Sequence, residues 1–493
     1  MPFPTPPPTP DPKPNQDSPT ASEDLDSLSP DEFRQYGYQV VDWIANYLQH
    51  SRSFPVLPQR QPGDLLDALP AQGPEQGESM QQILADFEQQ IVPAMTHWNH
   101  PRFFGYFSVS ASAPGILAEM LAASVNMNGM LWQSSPACTE LEQCTLAWLR
   151  DWCGLPGDYF GEIFDTASVS TFHALIAARE RIAPQTRLDG MPAGLVAYAS
   201  EYAHSSVEKG AIALGIGQRN FHKIPSDTQF RMQPEALEAQ ILADKRAGRK
   251  PFFVTATIGT TSVTSIDPVP EIAEICREQG VWLHVDAAYA GPVAICEDFR
   301  HYFEGWQHAD SIVMNPHKWL FTPIDISAFY IRDAAVLKRA LTLVPEYLKS
   351  SDHPRAINLM DYGIPLGRRF RALKLWFVMR SFGRQRIAES LRHHIALAQE
   401  LAERIRVHPR FEVTAPVPFS TVCFRLRGDE VANARLLDAV NRSGATFLSH
   451  TRLGNLYTLR LAIGSIYTTR EDVMMVWERI QQEAEALWTR RAG

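Results

Sequence analysis

Four short apolar runs constrain this chain more tightly than any other feature. They are GLVAYAS (194–200), PFFVTATIGTT (251–261), VWLHVDAA (281–288) and SIVMNPH (311–317). Rich in β-branched and aromatic residues, they read as buried parallel strands. A helical stretch containing Ile272, Ala273 and Ile275 separates the second from the third. That β-α-β arrangement predicts an α/β fold: a mostly parallel central sheet with helices on both faces.

Around this centre the pattern changes. Prolines favour extended geometry in residues 1–28, which have little to bury and read as a disordered tail. Ser29-Pro30-Asp31-Glu32 then forms an S-x-x-E capping box, with proline at the first helical position. Phe33, Tyr36, Val40, Ile44, Tyr47 and Leu48 follow on one helical face. With no globular domain before it, this face must dock on later residues or on a second copy of the chain. The reading therefore divides into a helical segment at 29–113, a large domain at 114–385 and a smaller α+β domain at 386–493. The last carries a helical stretch from Ile387 to Val407, FEVTAPVPFSTVCFRLR, a helix near 431–443, LYTLRLAI and a terminal helix from Glu471.

At 493 residues the chain exceeds what one hydrophobic core usually organises. Its 46 basic and 55 acidic side chains give a net charge of −9, with no general attraction for nucleic acid or anionic lipid. Cys138, Cys144, Cys153, Cys276, Cys296 and Cys423 form no C-x-x-C pair and match neither a disulfide framework nor a zinc site. They read as reduced thiols. No secretory signal is apparent, and no apolar run approaches the ~20 residues that span a bilayer. A soluble, cytoplasmic protein without a metal site is expected.

Ligands of parallel sheets sit beyond the carboxyl ends of the strands, so residues where the apolar runs stop are informative. One run ends in Asp286, a carboxylate costly to bury without a partner; a turn or helix-capping role is the alternative. Another ends in Asn315-Pro316-His317-Lys318-Trp319-Leu320. Desolvation would favour the neutral amine of Lys318, the form that condenses with an aldehyde. A surface lysine covering Trp319 is the alternative. A third run ends in Gly259-Thr260-Thr261. Small hydroxylated residues at 165–171 precede a helical pattern, where free N–H groups suit a phosphate, or serve as an ordinary cap. No dinucleotide or P-loop glycine motif occurs there. An aldehyde cofactor needs a lysine, an anion for its ring nitrogen and a helix start for its phosphate. Lys318, Asp286 and 165–171 supply these three.

HWNHPRFFGYF (97–107), SSPACTELE (134–142), DTAS (165–168), AHSSVEKG (203–210), HVDAAYAG (284–291), NPHKWL (315–320), PEYLK (345–349) and IPLGRRFRALKLWF (364–377) occur in this order. On these motifs the chain resembles the pyridoxal-phosphate-dependent group II amino-acid decarboxylases, in the aromatic-L-amino-acid branch. The resemblance runs from about Phe33 into the C-terminal domain. It implies a type I pyridoxal-phosphate transferase-like fold and a homodimer with active sites at the subunit boundary, the 29–113 segment docking on the partner. Lys318 would hold the cofactor as a Schiff base. Asp286 would pair with the ring nitrogen, Ala288 would pack below the ring and His204 would stack above it. Ala167, Ser168 and His317 would contact the phosphate, with Thr261 and Asn315 nearby. Trp98, Tyr106, Phe107 and Val109 would wall the substrate pocket, and Met130 and Gly367 would border it from the partner. Tyr347 would sit on a mobile loop and protonate the substrate α-carbon.

The implied reaction converts an aromatic L-amino acid of the tryptophan, tyrosine, phenylalanine or dihydroxyphenylalanine type to its amine and CO2. Aromatic aldehyde synthases resemble this pattern but carry phenylalanine at the position of Tyr347. Glutamate decarboxylases would need a cation for the distal carboxylate, and histidine decarboxylases share much of the pattern. An inactive scaffold with a working proline-rich tail is opposed by the intact Lys318, Asp286, His204 and Tyr347. Val169 departs from the glutamate common in the family, Val109 from a threonine, and Asn128 and Met130 from bulkier apolar residues.

Overall fold

The computed structural model describes residues 28–343, 355–428 and 430–492. Their strands run in chain order as β1 (Phe103–Phe104), β2 (Phe160–Phe164), β3 (Leu195–Ser200), β4 (Phe221–Ile224), β5 (Lys250–Thr257) and β6 (Trp282–Asp286). There follow β7 (Ser311–Met314), β8 (Ser327–Ile331), β9 (Phe411–Val413), β10 (Thr421–Leu426), β11 (Phe447–Leu453) and β12 (Leu456–Ala462).

Seven of them form the central sheet in the order β2-β8-β7-β6-β5-β3-β4. The four expected strands, β3, β5, β6 and β7, pair parallel with one another. β8 runs antiparallel to both β7 and β2, which turns β2 back to the direction of β7. Alternate residues feed two cores. Tyr198, Val254, Val285, Ile312 and Tyr330 face one, and Ala197, Phe253, Trp282 and Phe329 face the other. Both faces are therefore dry, which is why these strands read as continuous apolar runs. The carboxyl ends of β2, β3, β5, β6 and β7 consequently lie along one edge of the sheet.

The C-terminal region builds a second sheet, β1-β11-β12-β10-β9, over its own core with Leu401, Phe424, Leu461 and Trp477. β1 joins it by pairing parallel with β11, so the 29–113 segment is not purely helical. Phe103 and Phe104, in the HWNHPRFFGYF motif, are fully buried, and Phe104 belongs to this core. One long helix, Ala372–Val407, enters the region and departs from helical geometry at Gly383 (φ 69°). The expected domain boundary at 385 falls beside that kink.

Residues 28–50 and 65–92 fall in a separate compact unit. The capping box forms as expected, Ser29 and Glu32 each bonding the other's backbone N–H. Within this unit Trp43 stacks on Tyr47 at 5.3 Å and meets Phe87 edge-on at 5.0 Å. No residue of the helix Pro30–Gln49 is buried, and Phe33 and Tyr38 are two-thirds exposed at 66% and 65%. All six cysteines are free thiols, five of them buried. Among the described residues no helix is long and apolar enough to cross a membrane.

Candidate active site

The edge where the parallel strands end gathers the residues that the apolar runs pointed to. Asp286 closes β6, opposite Thr257 of β5 and Val313 of β7. It is buried, and its Oδ1 accepts the N–H of Ala288 at 3.0 Å. The Ala288 carbonyl in turn accepts the N–H of Asn315 at 3.0 Å, joining the loops after β6 and β7. Asn315 starts the short helix Pro316–Trp319 that carries Lys318.

The Lys318 ammonium lies 5.2 Å from the centre of the Phe107 ring. Burial lowers its pKa; Asp286 opposes that effect and Arg460 adds to it. No carboxylate forms an ion pair with it among the described residues. His204 caps the helix Ser205–Ala213, its Nδ1 accepting the Ser206 N–H at 3.2 Å and meeting the Ser206 hydroxyl at 2.7 Å. Burial lowers the His204 pKa, Asp286 raises it and Lys318 lowers it, so all three side chains share one electrostatic neighbourhood. His317 is buried; its Nδ1 accepts the N–H of Ile326 at 2.9 Å, and desolvation brings its pKa to about 4. A neutral ring accepting at Nδ1 carries its hydrogen on Nε2, as a donor.

The helix Ala167–Ile182 begins at the same edge, directly after β2. Its capping residue Thr166 makes no side-chain bond to the first turn, so that among the described residues no acceptor meets the N–H groups of Ala167 and Ser168. Deeper in this helix, Ser170 bonds Ser327 at 2.8 Å and Thr171 bonds His284 at 3.2 Å, fixing it to β8 and β6. Thr261 is exposed beyond β5, after the turn at Gly259 (φ +88°), where a Cβ would come 2.9 Å from Ala290.

Phe107 is buried, and its ring stacks on Tyr289 at 3.9 Å. Trp98 lies 5.8 Å from Tyr106 in near-parallel stacking, both partly exposed, and Val109 is partly buried. Met130 and Gly367 belong to a second cluster: Asn128 meets Met130 and accepts the Arg368 N–H, and the Arg368 carbonyl accepts the Gly129 N–H at 2.8 Å. A Cβ at Gly367 would meet only Asn128, at 3.9 Å. Tyr347 lies outside the described residues, as does the whole PEYLK motif.

Arg460 escaped the reading of the sequence. Buried at 3% exposure, it stands 4.5 Å over the Phe107 ring and donates to the carbonyls of Ser262 and Tyr106. One terminal nitrogen has no hydrogen-bond partner among the described residues. The signal was a cation inside the apolar run LYTLRLAI, whose burial is expensive.

A lysine whose pKa burial lowers, a buried carboxylate, an uncapped helix start and an Asn315 Oδ1 without a partner among the described residues together fit an aldehyde cofactor bearing a ring nitrogen and a phosphate. This is the site of a pyridoxal-phosphate enzyme on a mostly parallel α/β sheet. Residues 62–427 match the family described as the pyridoxal-dependent decarboxylase conserved domain. Tyrosine decarboxylase 4 of Petroselinum crispum is 38% identical, with 95% of this chain and 96% of that protein covered. Phenylacetaldehyde synthase of a Rosa hybrid cultivar is also 38% identical, over 94% and 95% respectively. The structure of Catharanthus roseus tryptophan decarboxylase in complex with L-tryptophan superposes with a TM-score of 0.89 at 38% identity, covering 94% of this chain and 100% of that one. The chain belongs to the pyridoxal-dependent decarboxylase family. It is a lyase whose cofactor is pyridoxal phosphate.

Proposed function

We propose that this protein converts an aromatic L-amino acid to the corresponding amine and CO2 at the edge formed by β2, β5, β6 and β7. The observation that carries the reading is the half-buried Lys318 amine over the Phe107 ring, its pKa lowered by burial, with no carboxylate paired to it among the described residues. Tyrosine and tryptophan decarboxylases among the relatives support an aromatic substrate.

Pyridoxal phosphate, when bound, supplies a carbonyl for amines and a ring that accepts the electron pair left as CO2 departs. Lys318 offers the uncharged amine. The Asp286 carboxylate keeps a proton on the ring nitrogen, each pKa unit of that bias being worth ~1.4 kcal/mol. The N–H groups of Ala167 and Ser168 and the Nε2–H of His317 hold the phosphate, with Thr261 and Asn315 beside it. Ala288 would be small enough to underlie the ring, and His204 would help to hold it from the other side. Trp98, Tyr106, Phe107 and Val109 orient the aromatic side chain, so that the bond to the carboxylate stands across the ring plane. Tyr347 delivers the proton that completes the amine, as a general acid.

The protein acts as a homodimer in which Met130 and Gly367 reach the partner's pocket and the exposed apolar helix Pro30–Gln49 covers the other subunit. Six unpaired cysteines suit the reducing cytoplasm. A second reading, aldehyde formation, is favoured by the phenylacetaldehyde synthase relative; Tyr347, in place of phenylalanine, supports the amine.

The test is to supply L-tyrosine, L-tryptophan, L-phenylalanine, L-dihydroxyphenylalanine, L-histidine and L-glutamate, and to measure CO2, amine and aldehyde. Amine and CO2 in equal amounts from one or more aromatic substrates is the expected result. Turnover confined to glutamate or histidine overturns the substrate class, and aldehyde as the main product overturns the reaction.

A further inference from the structure

Beneath Phe107 a line of rings runs into the protein. Phe107 and Tyr289 lie 3.9 Å apart at 15°, and Tyr289 and Trp319 4.7 Å apart at 2°. The next ring, His394, is 6.4 Å from Trp319 and tilted by only 2°, joined edge to edge rather than stacked. The Trp319 Nε1–H donates to His394 Nδ1 at 3.0 Å. Tyr289, Trp319 and His394 are all buried.

Tyr289, inside this line, and His394, at its inner end, are tied to the C-terminal part of the chain. The Tyr289 hydroxyl meets that of Ser420 at 2.6 Å, and Ser420 donates to the Ile463 carbonyl. His394 sits on the helix Ala372–Val407 and bonds the backbone of Ser465. Its ring thus has a partner on each nitrogen, which fixes one neutral tautomer. Desolvation, reinforced by His393, lowers its pKa to about 3, so the acceptor persists at neutral pH.

The helix Pro316–Trp319 has four residues, too few to hold its own geometry. Lys318 stands next to Trp319 in the chain, and its amine faces Phe107, the outermost ring of the same line. The ring line therefore restrains this lysine both through its neighbour in sequence and through the surface that its amine faces.

We propose that Trp319 and His394 are positioning residues that hold the Lys318 amine over the Phe107 ring. The proposal rests on the assignment of Lys318 as the cofactor-bearing lysine. The charged and titratable groups that face this amine are Asp286, Arg460, His204 and His317. Releasing Trp319 lets the amine leave its desolvated position, regain water and regain a proton. Capture of an aldehyde then requires higher pH, because only the uncharged amine adds to a carbonyl.

The experiment titrates the full-length chain, freed of cofactor, with pyridoxal phosphate between pH 6 and 9, following visible absorbance. His394→Leu removes the acceptor, His394→Asn keeps one at a similar reach, and Trp319→Phe keeps a ring but removes the donor. We expect His394→Leu and Trp319→Phe to move the capture midpoint about one pH unit upward, about tenfold less reactive amine at a given pH. His394→Asn should stay with the wild type. Trp319→Phe carries the test where His394→Leu does not fold. Midpoints unchanged in the variants that fold, or His394→Asn as impaired as His394→Leu, would overturn the proposal. Failure of the wild type itself to capture the cofactor would instead remove the assignment of Lys318.

Discussion

Desolvation acts on both Lys318, which is half-buried, and Lys374, which is fully buried, in opposite arrangements. Lys374, at 1% exposure on the helix Ala372–Val407, is ion-paired with Glu119, and Asp325 adds further negative charge. Lys318, just after β7, faces the Phe107 ring and a second buried cation, Arg460; its one nearby carboxylate, Asp286, is not bonded to it. Burial lowers the pKa of both, yet at Lys374 the bond from Glu119 opposes the shift. Burial alone does not make a lysine reactive. What distinguishes Lys318 is that, among the described residues, no carboxylate is bonded to its amine, which in the proposed function leaves the amine for a carbonyl.

The most severe way to break this comparison is to remove each lysine. Lys318→Ala is expected to lower CO2 release by ~10³-fold or more and to abolish the visible absorbance of the cofactor-loaded protein, as loss of a covalent participant does. Lys374→Met should keep turnover per folded molecule. Equal losses in the two variants would erase the distinction.

Acid shows whether the site or the fold fails first. Desolvation lowers the pKa of buried His100, His173, His284 and His317 to about 4 and that of His394 to about 3. The unfolded chain binds these protons near pH 6.5, while the folded chain refuses them until much lower pH. Their stabilisation is therefore fully present above about pH 6.5 and is lost progressively as pH falls toward 4, each group contributing up to ~1.4 kcal/mol per pH unit. Glu162 acts in the opposite sense: desolvation raises its pKa to about 8, so its contribution is lost as pH rises from about 4.5 to 8. Thermal melts between pH 7 and 4.5 should show Tm falling with pH. A flat profile would show that these rings are not buried neutral.

The smallest effect sharpens the comparison at Lys374. Glu119→Ala leaves a buried ammonium without its partner, and should cost ~2–3 kcal/mol in denaturant unfolding, nearer the low end because Glu119 is partly exposed. Lys374→Met should be close to neutral, since an apolar side chain removes the charge itself. A change in cofactor capture with Glu119→Ala, at unchanged stability, would tie this pair to the active site.

Much of the centre was legible in the chain itself. β3, β5, β6 and β7 announced themselves because both faces of the sheet are covered, so apolar residues dominate the runs and the few polar ones inside them, such as Thr255 and His284, are themselves buried. β2 was not singled out: Phe-Gly-Glu-Ile-Phe is interrupted by Glu162, whose cation Arg368 arrives from a remote segment. β4 buries only its two end residues, and β8, though as long as β6, was likewise not singled out; the apolar residues of both gain meaning only beside their neighbours. Strand β1 was invisible for the same reason, because two phenylalanines become a strand only against Phe447 and Leu448.

The order of residues determined where the proposed chemistry is located, since a lysine and an aspartate at the ends of apolar runs must share the edge of one parallel sheet. The tertiary structure decided the surroundings of the amine. Phe107, Arg460, Tyr289 and His394 come from distant parts of the chain, and solvation and electrostatic interaction follow separation in space, not in sequence.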